Sequence, residues 1–325
     1  MRRTRNTHVS VGCDCLVRHV DLQSNYRFFL MSPRGTTVLF NVERETRFDL
    51  RFRLFGTPIR VTPWFWFVTA ASGFRLIQDV GFEYLFIWIA CVFFSILMHE
   101  FGHIWMGRAF GNHGEIVLQA MCGLAVGSNG QYERWKRILV SLAGPGIELI
   151  FSGVLITLLM LFGNDRPFHF RGDLHWFDNI IGWLWHLSEN ASRSQHVRYV
   201  FFFLLQINFI WAAVNLVPVW PLDGGQVSRE IFTRFSQPNG VRASLALSIA
   251  VAVLICVHSA SSMLGGPRIP LLPHSSLFVL LLFAILALMS FQLLQFENAR
   301  KMGHWRDPDE DRLPWESDPD EWKRR

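Results

Sequence analysis

The chain is 325 residues long; half of it is apolar, 14% is aromatic, only 18% is charged, and the net charge is +5. Soluble domains carry about 25% charged residues, so an ordinary soluble domain is excluded; the small positive excess suits the cytoplasmic loops of a membrane protein, and no nucleic-acid partner is expected. Five scattered cysteines are too few for a disulfide framework, and Cys13-x-Cys15 has no second half with which to hold a metal.

Residues 1–50 are polar, Arg-rich and without clear periodicity, and no apolar core of a signal peptide is visible in the first 30. They read as a flexible cytoplasmic extension or as residues upstream of the true start, with Met31 a candidate start. Six apolar runs of about 20 residues follow, the length that crosses a hydrocarbon core of about 30 Å. The first covers 59–77, with Pro63 in its first turn, where a missing N–H costs little. The second covers 82–106. Residues 111–131 then alternate short apolar pieces with glycine, too short to cross as a helix, and read as a hairpin-like pair of strands held at membrane depth.

The third span is 138–162, followed by a polar connection in which 180–185 is apolar but short, an interfacial helix rather than a crossing. The fourth is 199–219, the fifth 243–264 and the sixth 271–294. Arg51, Arg53 and Arg60 precede the first span, Arg108, Arg134, Lys136 and Arg137 separate the second from the third, and Arg300 and Lys301 follow the sixth. With these on the cytoplasmic side both termini are inside. The tail from Glu297 is charged, with a near-repeat at Asp307-Pro308-Asp309-Glu310 and Asp318-Pro319-Asp320-Glu321, and reads as a solvated end. The expected fold is thus an all-α polytopic membrane protein of about six transmembrane helices, with a short embedded β-hairpin between the second and third. Its expected parts are an extension (1–50), a membrane domain (51–295) and a tail (296–325).

The chemistry is concentrated at His99-Glu100-Phe101-Gly102-His103, near the end of the second span. Histidines at i and i+4 share one helix face and can reach one metal ion, and the Glu between them is placed to act on a water at that ion. Ionisable groups at the end of an apolar helix are costly to bury and point to function. A catalytic zinc takes three protein ligands and leaves a fourth position open. The best candidate for the third is Asp223 in Asn215-Leu216-Val217-Pro218-Val219-Trp220-Pro221-Leu222-Asp223-Gly224-Gly225, where two prolines break the fourth span and free the backbone to turn the carboxylate inward. The second and fourth spans run the same way, so their C-terminal ends share one depth.

The pairing of HEFGH with NLVPVWPLDGG resembles the site-2 protease family of intramembrane zinc metalloproteases. Phe55-Gly56-Thr57-Pro58-Ile59-Arg60-Val61-Thr62-Pro63 and Ala143-Gly144-Pro145 extend the likeness over about residues 52–295. The resemblance implies one Zn2+ per chain on His99, His103 and Asp223, and Glu100 as general base. It also implies that Asn215 positions substrate or steadies the oxyanion, and that strands near 118–126 receive an extended substrate. Two departures stand out: Glu148 where the family often has Asn, expected to lie just behind the ligands, and Thr62 where it often has His. The short connection between the second and third spans leaves no room for a PDZ domain and the tail none for CBS domains, as in a minimal, membrane-only member.

The implied activity is hydrolysis of a peptide bond in or near the transmembrane segment of a single-pass protein already trimmed on the far side. The location is a multi-pass position in the lipid bilayer, the inner membrane if the cell is bacterial. The donor set alone also admits Fe or Co. The rival class is a non-proteolytic zinc-binding scaffold or chaperone for transmembrane segments, which loss of Glu100 or Asp223 would favour; both are present.

Overall fold

The first described element is a strand, not a helix. The computed structural model describes residues 46–119, 122–126, 133–162, 176–191, 194–266 and 277–301, and its elements belong to one unit, Val42–Arg325. Strands β1 (Leu50–Leu54) and β2 (Thr57–Val61) pair antiparallel, Leu54 opposite Thr57. That register leaves Phe55 and Gly56 as a two-residue turn with φ +49° and +73°, both central residues left-handed as a type I′ hairpin turn requires. Phe55 has a Cβ to strain there. It is held by Arg108, whose guanidinium donates to the Phe55 carbonyl at 2.9 Å and to Thr57 Oγ1 at 2.7 Å.

Strand β3 (Glu115–Gln119) joins β2 in parallel and β4 (Cys122–Val126) joins β3 antiparallel, giving the order β1-β2-β3-β4. The hairpin expected near residues 116–126 is therefore present, inside a larger sheet to which β1 and β2 add. Ile116, Val117 and Leu118 are all buried, as a strand covered on both faces must be.

Helices α1 (Pro63–Ser72), α2 (Arg75–Asp79), α3 (Phe82–Ala109), α4 (Arg134–Phe162), α5 (Trp176–Ala191), α6 (Gln195–Asn215), α7 (Asp223–Phe235), α8 (Gln237–Met263) and α9 (Leu277–Lys301) complete the described chain. Five of them, α3, α4, α6, α8 and α9, are long and apolar enough to cross a membrane. The first expected span, 59–77, is not a single helix. Its start is β2, and the rest is broken between α1 and α2 at Gly73, where a Cβ would collide with the Trp88 indole. The segment still accompanies α3 along its length. Phe55 meets Phe101 at 5.7 Å, Trp66 stacks on Phe93 at 5.3 Å, and Trp88 Nε1 donates to the Thr69 carbonyl at 3.2 Å.

Helix α3 is the hub: 56% of its apolar window is buried, against 17–33% in the other four. It packs on α4 and α6, while α7 bridges α4 and α8. On α4 an exposed apolar stripe, Ile150, Val154, Leu158 and Leu161, lies opposite the buried Glu148, Ser152, Leu155 and Leu159. That is the helical period of a segment with one face to lipid and one to protein. The short apolar stretch at 180–185 lies in α5, whose Leu184 and Leu187 pack on Leu155, Leu159 and Leu205. The last helix runs on to Lys301, past the expected end of the span, with Arg242 bonded to Asn298 Oδ1 at 2.7 Å. The expected extension up to residue 45 and the tail beyond residue 301 lie outside the described residues.

Candidate metal centre

His99 and His103 sit one turn apart on the enclosed face of α3, 3% and 7% exposed. Each ring is fixed at its Nδ1 by a neighbour on α4: His99 Nδ1 lies 3.0 Å from Glu148 Oε2, and His103 Nδ1 lies 2.7 Å from the Val140 carbonyl. A carbonyl only accepts, so His103 carries its proton on Nδ1; His99 donates likewise to the carboxylate. Both Nε2 atoms then present lone pairs, and they face each other at 3.0 Å.

Asp223, the first residue of α7, brings its Oδ2 to 3.1 Å from His99 Nε2 and 3.5 Å from His103 Nε2. This oxygen is buried with no hydrogen-bond partner. Three lone-pair atoms 3.0 to 3.5 Å apart in a dry site repel unless a positive charge lies between them. Tetrahedral zinc, with bonds of about 2.0–2.2 Å, sets its ligands about 3.3–3.5 Å apart, so the donor set fits that ion.

Glu100 is buried between the two histidines in sequence, and a carboxylate oxygen of it lies within 4.8 Å of a ring nitrogen of each. Glu148, completely buried, is where a group behind the ligands was expected, and its Oε1 has no partner. Asn215 closes α6 and is buried, but its described bond runs back along its own helix, from Nδ2 to the Trp211 carbonyl at 3.1 Å. Thr62 lies between β2 and α1, its N–H on the Leu118 carbonyl and its hydroxyl unpartnered.

Close backbone approaches make this convergence possible. A Cβ at Gly144 would strike the His103 ring and come within 2.8 Å of His99 Nε2. A Cβ at Gly102 would run into the Ala143 carbonyl. Pro145, inside α4, offers no N–H to the turn before it. After Asp223, Gly224 abuts the Leu216 carbonyl and Gly225 the Val219 carbonyl, so α7 starts folded back onto the loop that precedes it. The contact roles of Gly102 and Gly144 are absent from the sequence reading; a Gly-Pro pair inside an apolar helix was the available signal. Close approach at the two glycines after Asp223 was the expectation, and the structure has it.

The model of peptidase family M50 matches residues 87–257, which contain every residue of the cluster. A zinc metalloprotease of Methanocaldococcus jannaschii is 22% identical over 209 residues, 63% of this chain and 52% of that one. A Synechocystis sp. protein provisionally named a zinc metalloprotease is 30% identical over 189 residues, 55% of this chain and 42% of that one. The chain thus spans about half the length of the curated relatives it matches. Among solved structures, a site-2 protease from Methanocaldococcus jannaschii aligns with a TM-score of 0.49 at 17% identity, over 75% of this chain and 94% of that one.

Proposed function

Because this chain belongs to peptidase family M50, we propose that it is an intramembrane zinc metalloendopeptidase acting on a peptide bond in or near the transmembrane segment of a membrane-anchored substrate. The observation that carries the reading is the meeting of His99 Nε2, His103 Nε2 and Asp223 Oδ2 beside Glu100, on a helix long enough to span a bilayer.

Bound zinc supplies Lewis-acid polarisation of the scissile carbonyl and of the attacking water. His99, His103 and Asp223 would hold it, and Glu148 and the Val140 carbonyl keep both Nε2 lone pairs turned inward. Glu100 takes the proton of the attacking water and returns it to the leaving amine. Asn215, at the end of α6, is assigned the role of positioning substrate or steadying the developing oxyanion, as the family resemblance implies.

A helical substrate hides its peptide bonds and must unwind locally before attack. Strand β4 lies at the edge of the sheet, and strand addition there satisfies the freed backbone in an apolar setting. The substrate class is a single-pass protein whose far-side domain another protease has removed. With the Arg108 end of α3 in the cytoplasm, the C-terminal end of α9 also lies inside. The test is cleavage of such a substrate in vesicles holding the purified full chain: a chelator abolishes cleavage and zinc restores it, and cleavage that survives the chelator overturns the reading.

A further inference from the structure

The loop that delivers Asp223 is fastened by two serines from helices that contribute nothing to the ligand cluster. The Trp220 N–H donates to Ser248 Oγ on α8 at 3.1 Å, and Ser290 on α9 donates its hydroxyl to the Trp220 carbonyl at 3.2 Å. Both serines are buried, 1% and 0% exposed. Ser248 donates its own proton to the Ser244 carbonyl at 2.8 Å, so its oxygen is left to accept from Trp220. A serine bonded one turn back along its helix is ordinary; a pair from two spans holding opposite ends of one residue's backbone is not.

Trp220 stands three residues before the carboxylate, and the fastening reaches it through the backbone. Gly225, in the first turn of α7, leaves no space beside that residue, since a Cβ there would meet Val219 at 2.5 Å and Trp220 N at 2.6 Å. Val219 is buried among Ala252 and Ile255 of α8 and Phe283 and Leu286 of α9. The position of the Asp223 end of α7 is therefore set by α8 and α9, while its distance to the histidines is set by α3 and α4.

We infer that Ser248 and Ser290 are positioning residues for Asp223: they fix the Trp220 backbone and, through its contact with Gly225, aim the carboxylate at the two Nε2 atoms. The inference rests on the reading of Asp223 as a metal ligand. Neither serine touches the metal or the substrate; they act through Asp223 alone.

The experiment measures zinc affinity of the full-length purified protein by competition with a chelator, together with the melting temperature of the zinc-free form. The variants are S248A, S290A, the double S248A/S290A, S259A and D223A. Ser259, a buried serine on α8 outside the clamp whose hydroxyl has no partner, reports the effect of shortening a buried serine alone. The double variant is expected to bind zinc about 10-fold more weakly, the usual size of an outer-shell effect on metal affinity, while S259A stays within about 2-fold of wild type. S290A alone, which leaves Ser248 on the Trp220 N–H, gives part of the loss and carries the test if the double variant does not fold. In a D223A background the serine substitutions have no further effect. The inference is overturned if the serine variants bind zinc as S259A does, or lose as much affinity in the D223A background as in wild type. Wild-type zinc affinity in D223A itself is a separate result: it removes the ligand reading, and this inference with it.

Discussion

His99 Nδ1 and Glu148 Oε2 lie 3.0 Å apart with neither group reaching solvent. The bond turns His99 Nε2 toward the metal position and raises its basicity, as outer-shell carboxylates do for ligating histidines. Glu148→Ala leaves the Nδ1–H buried without an acceptor, at a cost of about 1–3 kcal/mol, and lowers zinc affinity about 10- to 100-fold. Glu148→Gln keeps an acceptor oxygen and loses less. Zinc affinities of the two variants, measured side by side, check the order; equal affinities would mean that the bond does not orient His99.

Gly144 gives a steric test of the same centre. Gly144→Ala places a methyl group against the His103 ring and 2.8 Å from His99 Nε2, so the variant loses zinc. Gly146→Ala and Gly153→Ala, on the same helix, meet nothing within 4 Å and gain up to about 1 kcal/mol of helix propensity. Metal content and melting temperature of the three proteins decide it: one empties, two stay loaded and hold or gain stability.

Two short stretches made the centre legible, and both are local patterns. HEFGH declares itself because i and i+4 share a helix face, and Asp223 because two prolines and two glycines surround a carboxylate at the end of an apolar run. The strand character of 122–126 was readable for the same reason, in the alternation of glycine with apolar residues. What local pattern could not show was pairing at a distance. Thr57–Val61 looked like the approach to a helix, yet it becomes a strand because β3, more than 50 residues on, offers it a parallel partner. Arg51 and Arg53 read as the charged flank of the first span, yet they lie on β1, an edge strand, which tolerates charge that an inner one does not. The break at Gly73 depends on the indole of Trp88, a neighbour no window around Gly73 contains.

Arg108 tests how firmly the sheet is tied to the metal helix. Its two bonds, to the Phe55 carbonyl and to Thr57 Oγ1, hold the hairpin turn against the C-terminal end of α3. Arg108→Ala removes both and is expected to destabilise by about 1–3 kcal/mol; Arg108→Lys, with one compact donor group, recovers only part. Chemical unfolding of the three proteins ranks them, and an unchanged midpoint in Arg108→Ala would show that the clamp adds nothing.

Zinc itself should stabilise the fold. Without a cation the lone pairs of His99, His103 and Asp223 face each other at 3.0 to 3.5 Å. Loading at 1,000 times the dissociation constant adds about 4 kcal/mol. Melting of stripped protein titrated with zinc is expected to shift upward with concentration, and the shift is expected to shrink sharply in Asp223→Ala.

The proposed function assigns the proton chemistry to Glu100, beside a metal held by His99, His103 and Asp223. The most direct measurement is cleavage of a trimmed single-pass substrate by wild type, Glu100→Gln and Asp223→Ala, with zinc quantified in each purified protein. Wild type is expected to cut, Glu100→Gln to keep its zinc but stay silent, and Asp223→Ala to lose both. Cleavage by Glu100→Gln, or full zinc in Asp223→Ala, would contradict this assignment.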